Sequence, residues 1–257
     1  MNQFLIGNAD KTETLLQLAR PPFLLIDDGP IAEAFSAQFP KAKQFDISRH
    51  SFNPLKGMDY KRARDFAATI YTASPEGKDT LTVRNGRRSL AKLLLTNVSR
   101  LDKLAANTTN IGPGAIEAID TIDDLLLSPM LRQVLCSPSN FTFVGRRGEP
   151  ISIIARIDRT EFPDFDSFVL ASLLIGQFLQ GQVIVPDFGF YGRDFYTSLI
   201  RQGRVVVAVK FLGELSPLLR QSLLSNSDKH FFGLTREDAE RLIFYSSTPT
   251  GNPTELM

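Results

Sequence analysis

The chain of 257 residues has a single cysteine, two histidines and almost no net charge, with 29 Lys and Arg against 28 Asp and Glu. Each scarcity excludes something. A lone Cys136 rules out an intrachain disulfide and fits a reducing compartment, so a cytoplasmic location is expected, with the thiol acting as a small buried apolar group. His50 and His230 stand far apart, and no His/Cys cluster with metal-ligand spacing is present. Balanced charge excludes the wholesale basicity of a chain built to coat nucleic acid, while leaving room for a local patch. Long apolar runs are missing too. The most apolar long segment, Phe168 to Leu179, is broken by Ser172, Gly176 and Gln177 and is too short for a bilayer span, so it reads as a buried helix and no membrane span is expected. No basic stretch followed by a long apolar core marks a secretory signal at the N-terminus.

What is present is a chain able to bury a core, with 43% hydrophobic and 22% charged residues. Apolar runs alternate with segments of helical spacing. Strands are expected at Phe4-Leu5-Ile6, Phe23 to Ile26, Lys43 to Ile47, Ile151 to Ile157, Gln182 to Val185 and Val205 to Val209. Runs such as Phe23-Leu24-Leu25-Ile26, apolar on both faces, suit central parallel strands covered by helices. The alternation predicts an α/β fold, with a mostly parallel central sheet and helices on both faces. A helix is read from about Asp59 to Tyr71, and Ser89 is a candidate cap for a helix holding Leu90, Leu93 and Leu94. A helical elaboration is expected around 85–135, broken at Gly112-Pro113-Gly114. Further helices are read over Tyr191 to Gln202, Leu215 to Leu224 and Arg236 to Phe244. No internal repeat or linker interrupts 1–247, which reads as one domain, and 248–257 reads as a loose tail.

The first strand leads into Gly7-Asn8-Ala9-Asp10-Lys11-Thr12 and then an amphipathic stretch. This is the order of a phosphate-binding loop, whose Walker A pattern G-x-x-x-x-G-K-[ST] wraps a phosphate in backbone N–H groups and reaches it with Lys. Lys11 follows Gly7 too closely for that pattern, and Asp10 stands where the inner glycine belongs. A carboxylate there repels the anion. If a phosphate binds, Gly7, Lys11 and Thr12 are the residues to hold it; an ordinary strand-to-helix turn reads equally well.

Taken in order, the pieces resemble the additional-strand P-loop ATPases typified by HerA, FtsK and the TraG-type coupling proteins. Leu24-Leu25-Ile26-Asp27-Asp28-Gly29-Pro30, Phe45-Asp46 to Phe52-Asn53-Pro54-Leu55, Val183-Ile184-Val185-Pro186-Asp187 and Leu199-Ile200-Arg201-Gln202-Gly203-Arg204 before Val205 to Val209 match that family's sequence of elements. The resemblance implies a P-loop NTPase-like fold, with ATP and Mg2+ as the possible cofactors and Asp187 as the Walker B carboxylate. A helix-cap or turn role for Asp187 is the alternative. Phe188 occupies the position of the family's glutamate base, and Lys210-Phe211 replaces its polar sensor. A phenyl ring cannot accept a proton. With three parts of one apparatus altered together, the expected function is a noncatalytic or weakly nucleotide-binding structural or regulatory subunit of a DNA-handling or mobile-element assembly. An active minimal DNA-translocating or genome-packaging ATPase, with a base from Asp27, Asp28 or Glu214, is one alternative. A protein-interaction module on an α/β scaffold is the other.

Possible partners are a second copy of the chain, a partner ATPase and DNA. Arg84, Arg87 and Arg88, with Arg146 and Arg147, are candidates for DNA phosphates or simply a solvated face. Arg201 and Arg204, with Arg220, are candidates for a subunit interface; Arg201 and Arg204 could equally favour a helix C-terminus with no further role.

Overall fold

The computed structural model describes residues 1–27, 29–73, 80–96, 100–107, 114–178, 180–192 and 196–247. Asp28, Gly112 and Pro113, and the segment 248–257 read as a tail, lie outside them. Among the described residues seven strands form one sheet: β1 (Asn2–Gly7), β2 (Phe23–Asp27), β3 (Lys43–Asp46), β4 (Ile153–Arg156), β5 (Gln182–Val185), β6 (Val205–Val209) and β7 (Ser227–Phe232). They lie in the order β3-β4-β2-β5-β6-β1-β7, and every pairing is parallel. Five of the six expected strands, β1, β2, β4, β5 and β6, occupy the five inner positions, and the sixth, β3, is an edge. Their side chains are buried on both faces, which the unbroken apolar runs require.

Alternation along each strand splits the core into two layers. Leu5, Phe23, Leu25, Ile154, Ile184 and Val206 face α1 (Thr12–Leu18) and α2 (Pro30–Gln38), where Phe23 meets Phe35 and Phe39 edge-on. Phe4, Ile6, Leu24, Ile26, Val183 and Val207 face a thicker layer. It contains α3 (Tyr60–Ala73), α4 (Thr80–Leu93), α5 (Ala115–Leu125), α6 (Pro129–Cys136), α7 (Asp164–Gln177), α8 (Phe188–Tyr191), α9 (Thr197–Arg201) and α10 (Pro217–Asn226), followed after β7 by α11 (Arg236–Ser247).

The helical elaboration is wider than 85–135. It begins with α3 and runs to the end of α6, all between the edge strand β3 and its neighbour β4. Ser89 is not a cap. It is buried inside α4, which starts at Thr80, because packing against α3 and α5 overrides the weak helix preference of Thr80-Leu81-Thr82-Val83. Gly86 serves that packing: a Cβ there would fall 2.3 Å from the Tyr71 hydroxyl. The helix read over Tyr191 to Gln202 is divided between α8 and α9, with 193–195 outside the described residues. β7 has no counterpart in the sequence reading. Its run Ser-Asp-Lys-His-Phe-Phe is half exposed at the sheet edge and carries no continuous apolar signal. Cys136 is buried, and burial pushes its thiol pKa up. No helix among the described residues is long and apolar enough to cross a membrane.

Candidate functional site at the carboxyl edge

Because all strands are parallel, Gly7 at the end of β1 and Asp187 just beyond β5 come to the same carboxyl edge, with β6 between them. Ligands of open α/β sheets gather at this edge. The chemistry placed there differs from that of an open phosphate cradle.

The loop after β1 is closed by its neighbour. β7 pairs with β1 through to Gly7 opposite Phe232, and the Ala9 amide then donates to the Phe232 carbonyl at 3.1 Å and the Asn8 amide to Gly233 at 3.5 Å. Gly7 has φ +127°, and a Cβ on it would fall 1.9 Å from the Phe232 carbonyl oxygen. The glycine serves the approach of β7. Asp10 Oδ1 accepts from the Thr12 amide at 2.9 Å and from its hydroxyl at 2.7 Å. Lys11 Nζ turns back to donate to the carbonyls of Gly7 and Ala9, the latter at 3.2 Å. Burial pulls the Lys11 ammonium below its ordinary pKa, with the nearby Glu214 charge opposing. A nucleotide phosphate needs free amides and an outward lysine. Here the amides of Asn8, Ala9 and Thr12 and the Lys11 ammonium already have protein partners.

Across β6, Asp187 Oδ2 takes an ion pair with Arg159 at 2.7 Å, and the Arg159 guanidinium lies 4.4 Å from the centre of the Phe190 ring. Phe188 turns inward: it is buried to 2% exposure beside Tyr196. The residue after Asp187 is therefore part of the core. Glu214, from the turn after β6, comes to this region from the side. Its Oε2 accepts from the Lys210 amide at 3.0 Å, and a Cβ on Gly189 would fall 2.4 Å from it.

Other carboxylates of this edge are occupied in the same manner. Asp27 Oδ2 caps the start of α2 through the Gly29 and Ala32 amides at 3.0 and 2.7 Å. Asp46 and Asp158 repeat the Asp10 arrangement, each accepting through Oδ1 from the amide and hydroxyl two residues on, in Ser48 and Thr160. These hydrogen bonds hold all three carboxyls below their ordinary pKa range. The repeated Asp-x-Thr/Ser after β1, β3 and β4 was visible in the sequence as a turn signal. The Arg159 pairing was not, since it depends on two loops meeting in space.

The candidate arginines fall elsewhere. Arg84, Arg87 and Arg88 are exposed on α4, joined by the exposed Lys92, and α4 has no acidic residue. Lys92 was missed, although it follows Arg84 and Arg88 at four-residue spacing. Arg146 and Arg147 are exposed in a loop. Arg201 and Arg204 lie at the amino edge, before β6; Arg201 is exposed and Arg204 Nε donates to the Gly181 carbonyl at 2.6 Å. Arg220 Nη2 donates to Leu215 within the chain. His50 Nδ1 accepts from the Asp46 amide, and His230 contacts Gln3.

No family model matches the sequence, and no curated protein matches it by sequence. Solved structures do match in fold. VirB4 of Thermoanaerobacter pseudethanolicus is 12% identical, with a TM-score of 0.59 over 96% of this chain and 81% of that one. The bacterial conjugative coupling protein TrwB, in a form with sulphate, is 14% identical, with a TM-score of 0.55 over 93% and 72%. Another structure of TrwB, in complex with ADP and Mg2+, is 12% identical, with a TM-score of 0.50 over 88% and 68%. The chain has the P-loop ATPase-type α/β fold of these proteins, in agreement with the TraG-like resemblance read from its elements.

Proposed function

We propose that this chain is a P-loop-type scaffold that does not hydrolyse ATP and serves as a structural or regulatory subunit of a DNA-handling or mobile-element assembly. The closed loop carries this reading: the Phe232 carbonyl fills the space beside Gly7, and Lys11 is folded onto its own loop. The burial of Phe188 and the Asp187–Arg159 pair support it from the other side of the site. The fold likeness to VirB4 and TrwB and the basic face of α4 favour an assembly that meets DNA or a related ATPase. Residues 1–247 act as one unit in this proposal.

An active minimal motor is the second reading, favoured by Glu214, a carboxylate whose charge acts on Lys11 and whose Oε2 lies beside Gly189. Calorimetric titration with ATP and Mg2+, together with phosphate release with and without DNA, separates the two. The scaffold reading expects no saturable heat and no turnover above background. Turnover lost in both Glu214→Gln and Asp187→Ala would establish the motor instead.

A further inference from the structure

A cavity of about 280 Å³ opens toward the amino edge of the sheet, between the first turns of α3, the last turns of α7, and α9. Its wall includes Phe66, Leu173, Phe178 and Leu199, so most of it is apolar. Two arginines reach it from different elements. The Arg62 guanidinium is fixed by Nη1, which donates to the carbonyls of Lys56 at 3.2 Å and Gly57 at 2.5 Å, while its Nη2 is buried and meets no hydrogen-bond acceptor among the described residues. Arg204 enters from the start of β6. Burial lowers the pKa of both guanidinium groups. Asp59 and Asp65 also line the cavity; Asp59 accepts from the Arg62 amide, and burial raises the pKa of the Asp65 carboxyl.

Gly176 is the independent observation. It sits near the end of α7, where glycine disfavours helix, and a Cβ built on it meets nothing within 4 Å. Close packing does not demand this glycine. It is exposed at the edge of the cavity, with open space where a side chain would stand.

We propose that this cavity binds a small amphipathic anion, an apolar body headed by one carboxylate or phosphate. The Arg62 and Arg204 guanidiniums in the wall supply the positive charge for the head, and the body lies against Phe66, Leu173 and Leu199. The volume falls just below the range of ligand pockets, about 300–1,000 Å³, so the body must be small. The inference is independent of whether the chain hydrolyses ATP, because the cavity lies toward the amino edge of the sheet.

The test is calorimetric titration of the full chain with 2-naphthoate, 2-naphthyl phosphate and the neutral 2-naphthamide. Saturable binding of at least one anion, about tenfold tighter than the amide, is expected, and the preferred anion distinguishes a carboxylate from a phosphate ligand. Arg62→Met should erase the preference for the anion while leaving the amide unchanged. Gly176→Leu, which fills the cavity with a good helix former, should abolish binding of all three with the melting transition retained. Absence of saturable binding overturns the proposal, as does equal affinity for anion and amide, or unaltered binding in a folded Gly176→Leu protein. If Gly176→Leu fails to fold, Arg62→Met decides: an unchanged anion preference rejects the site.

Discussion

The main-chain carbonyl of Phe232 lies where the Cβ of any residue other than glycine at position 7 would have to be, 1.9 Å from the ideal Cβ position. A glycine that looks like the first glycine of a phosphate loop is thus held by the edge strand beside it. Gly7→Ala meets both the clash and a φ of +127°, so it should destabilise the fold by about 2 kcal/mol or more. Urea denaturation measures this, and a loss below about 0.5 kcal/mol would show that β7 is not seated against β1.

Asp187 and Arg159 face each other with 31% and 28% of their side chains exposed, so solvent screening keeps their pair modest. A double-mutant cycle with Asp187→Ala and Arg159→Ala should return a coupling of about 1 kcal/mol or less, read from denaturation midpoints. Complete additivity would mean that the pair contributes nothing in solution.

Restoring a glutamate beside Asp187 should not restore a hydrolase. Phe188→Glu places a carboxylate in the layer beside Tyr196, where burying an unpaired charge costs several kcal/mol. The expected outcome is a lower melting temperature and unchanged background phosphate release. A stable Phe188→Glu protein that turns over ATP would contradict the inward placement of this position.

Asp10, Asp46 and Asp158 have folded pKa values depressed by hydrogen bonds from Thr12, Ser48 and Thr160. A depressed carboxyl contributes stability that is fully present above its unfolded pKa of about 3.9 and is lost as pH falls through the lower folded value. Stability attributable to these groups should therefore be flat from pH 7 to pH 5 and decline below about pH 4. The triple variant Thr12→Ala, Ser48→Ala, Thr160→Ala should flatten that acid limb in melting curves recorded across the range.

Arg84, Arg88 and Lys92 share one exposed face of α4. If that face meets DNA phosphates, replacing all three with Gln should weaken duplex binding regardless of sequence. It should also reduce the slope of log K against log salt by about 0.9 for each contact removed. Replacing Arg146 and Arg147 provides the comparison, and an unchanged slope in the α4 variant would identify the face as merely solvated.

The inner strands were legible because a parallel strand covered on both sides must be apolar throughout, and Phe23 to Ile26 and Val205 to Val209 carry that requirement in their own side chains. Asp187 and Lys11 at one edge followed from parallel order alone. The helical elaboration was misjudged at its start because Thr80 to Val83 has a local preference that packing against α3 overrides.

By itself the sequence determined the layered α/β architecture, the apolar runs of its five inner strands and the presence of a phenyl ring rather than a carboxylate after Asp187, since each is a property of residues in one segment. Tertiary structure alone decided the state of the site. The closure of the Gly7 loop by β7, the Arg159 partner of Asp187 and the arrival of Glu214 beside Gly189 are contacts between distant segments. Local periodicity and propensity do not encode such pairings, because the chain must first pay the entropy of bringing those segments together and only the assembled sheet supplies the compensating contacts.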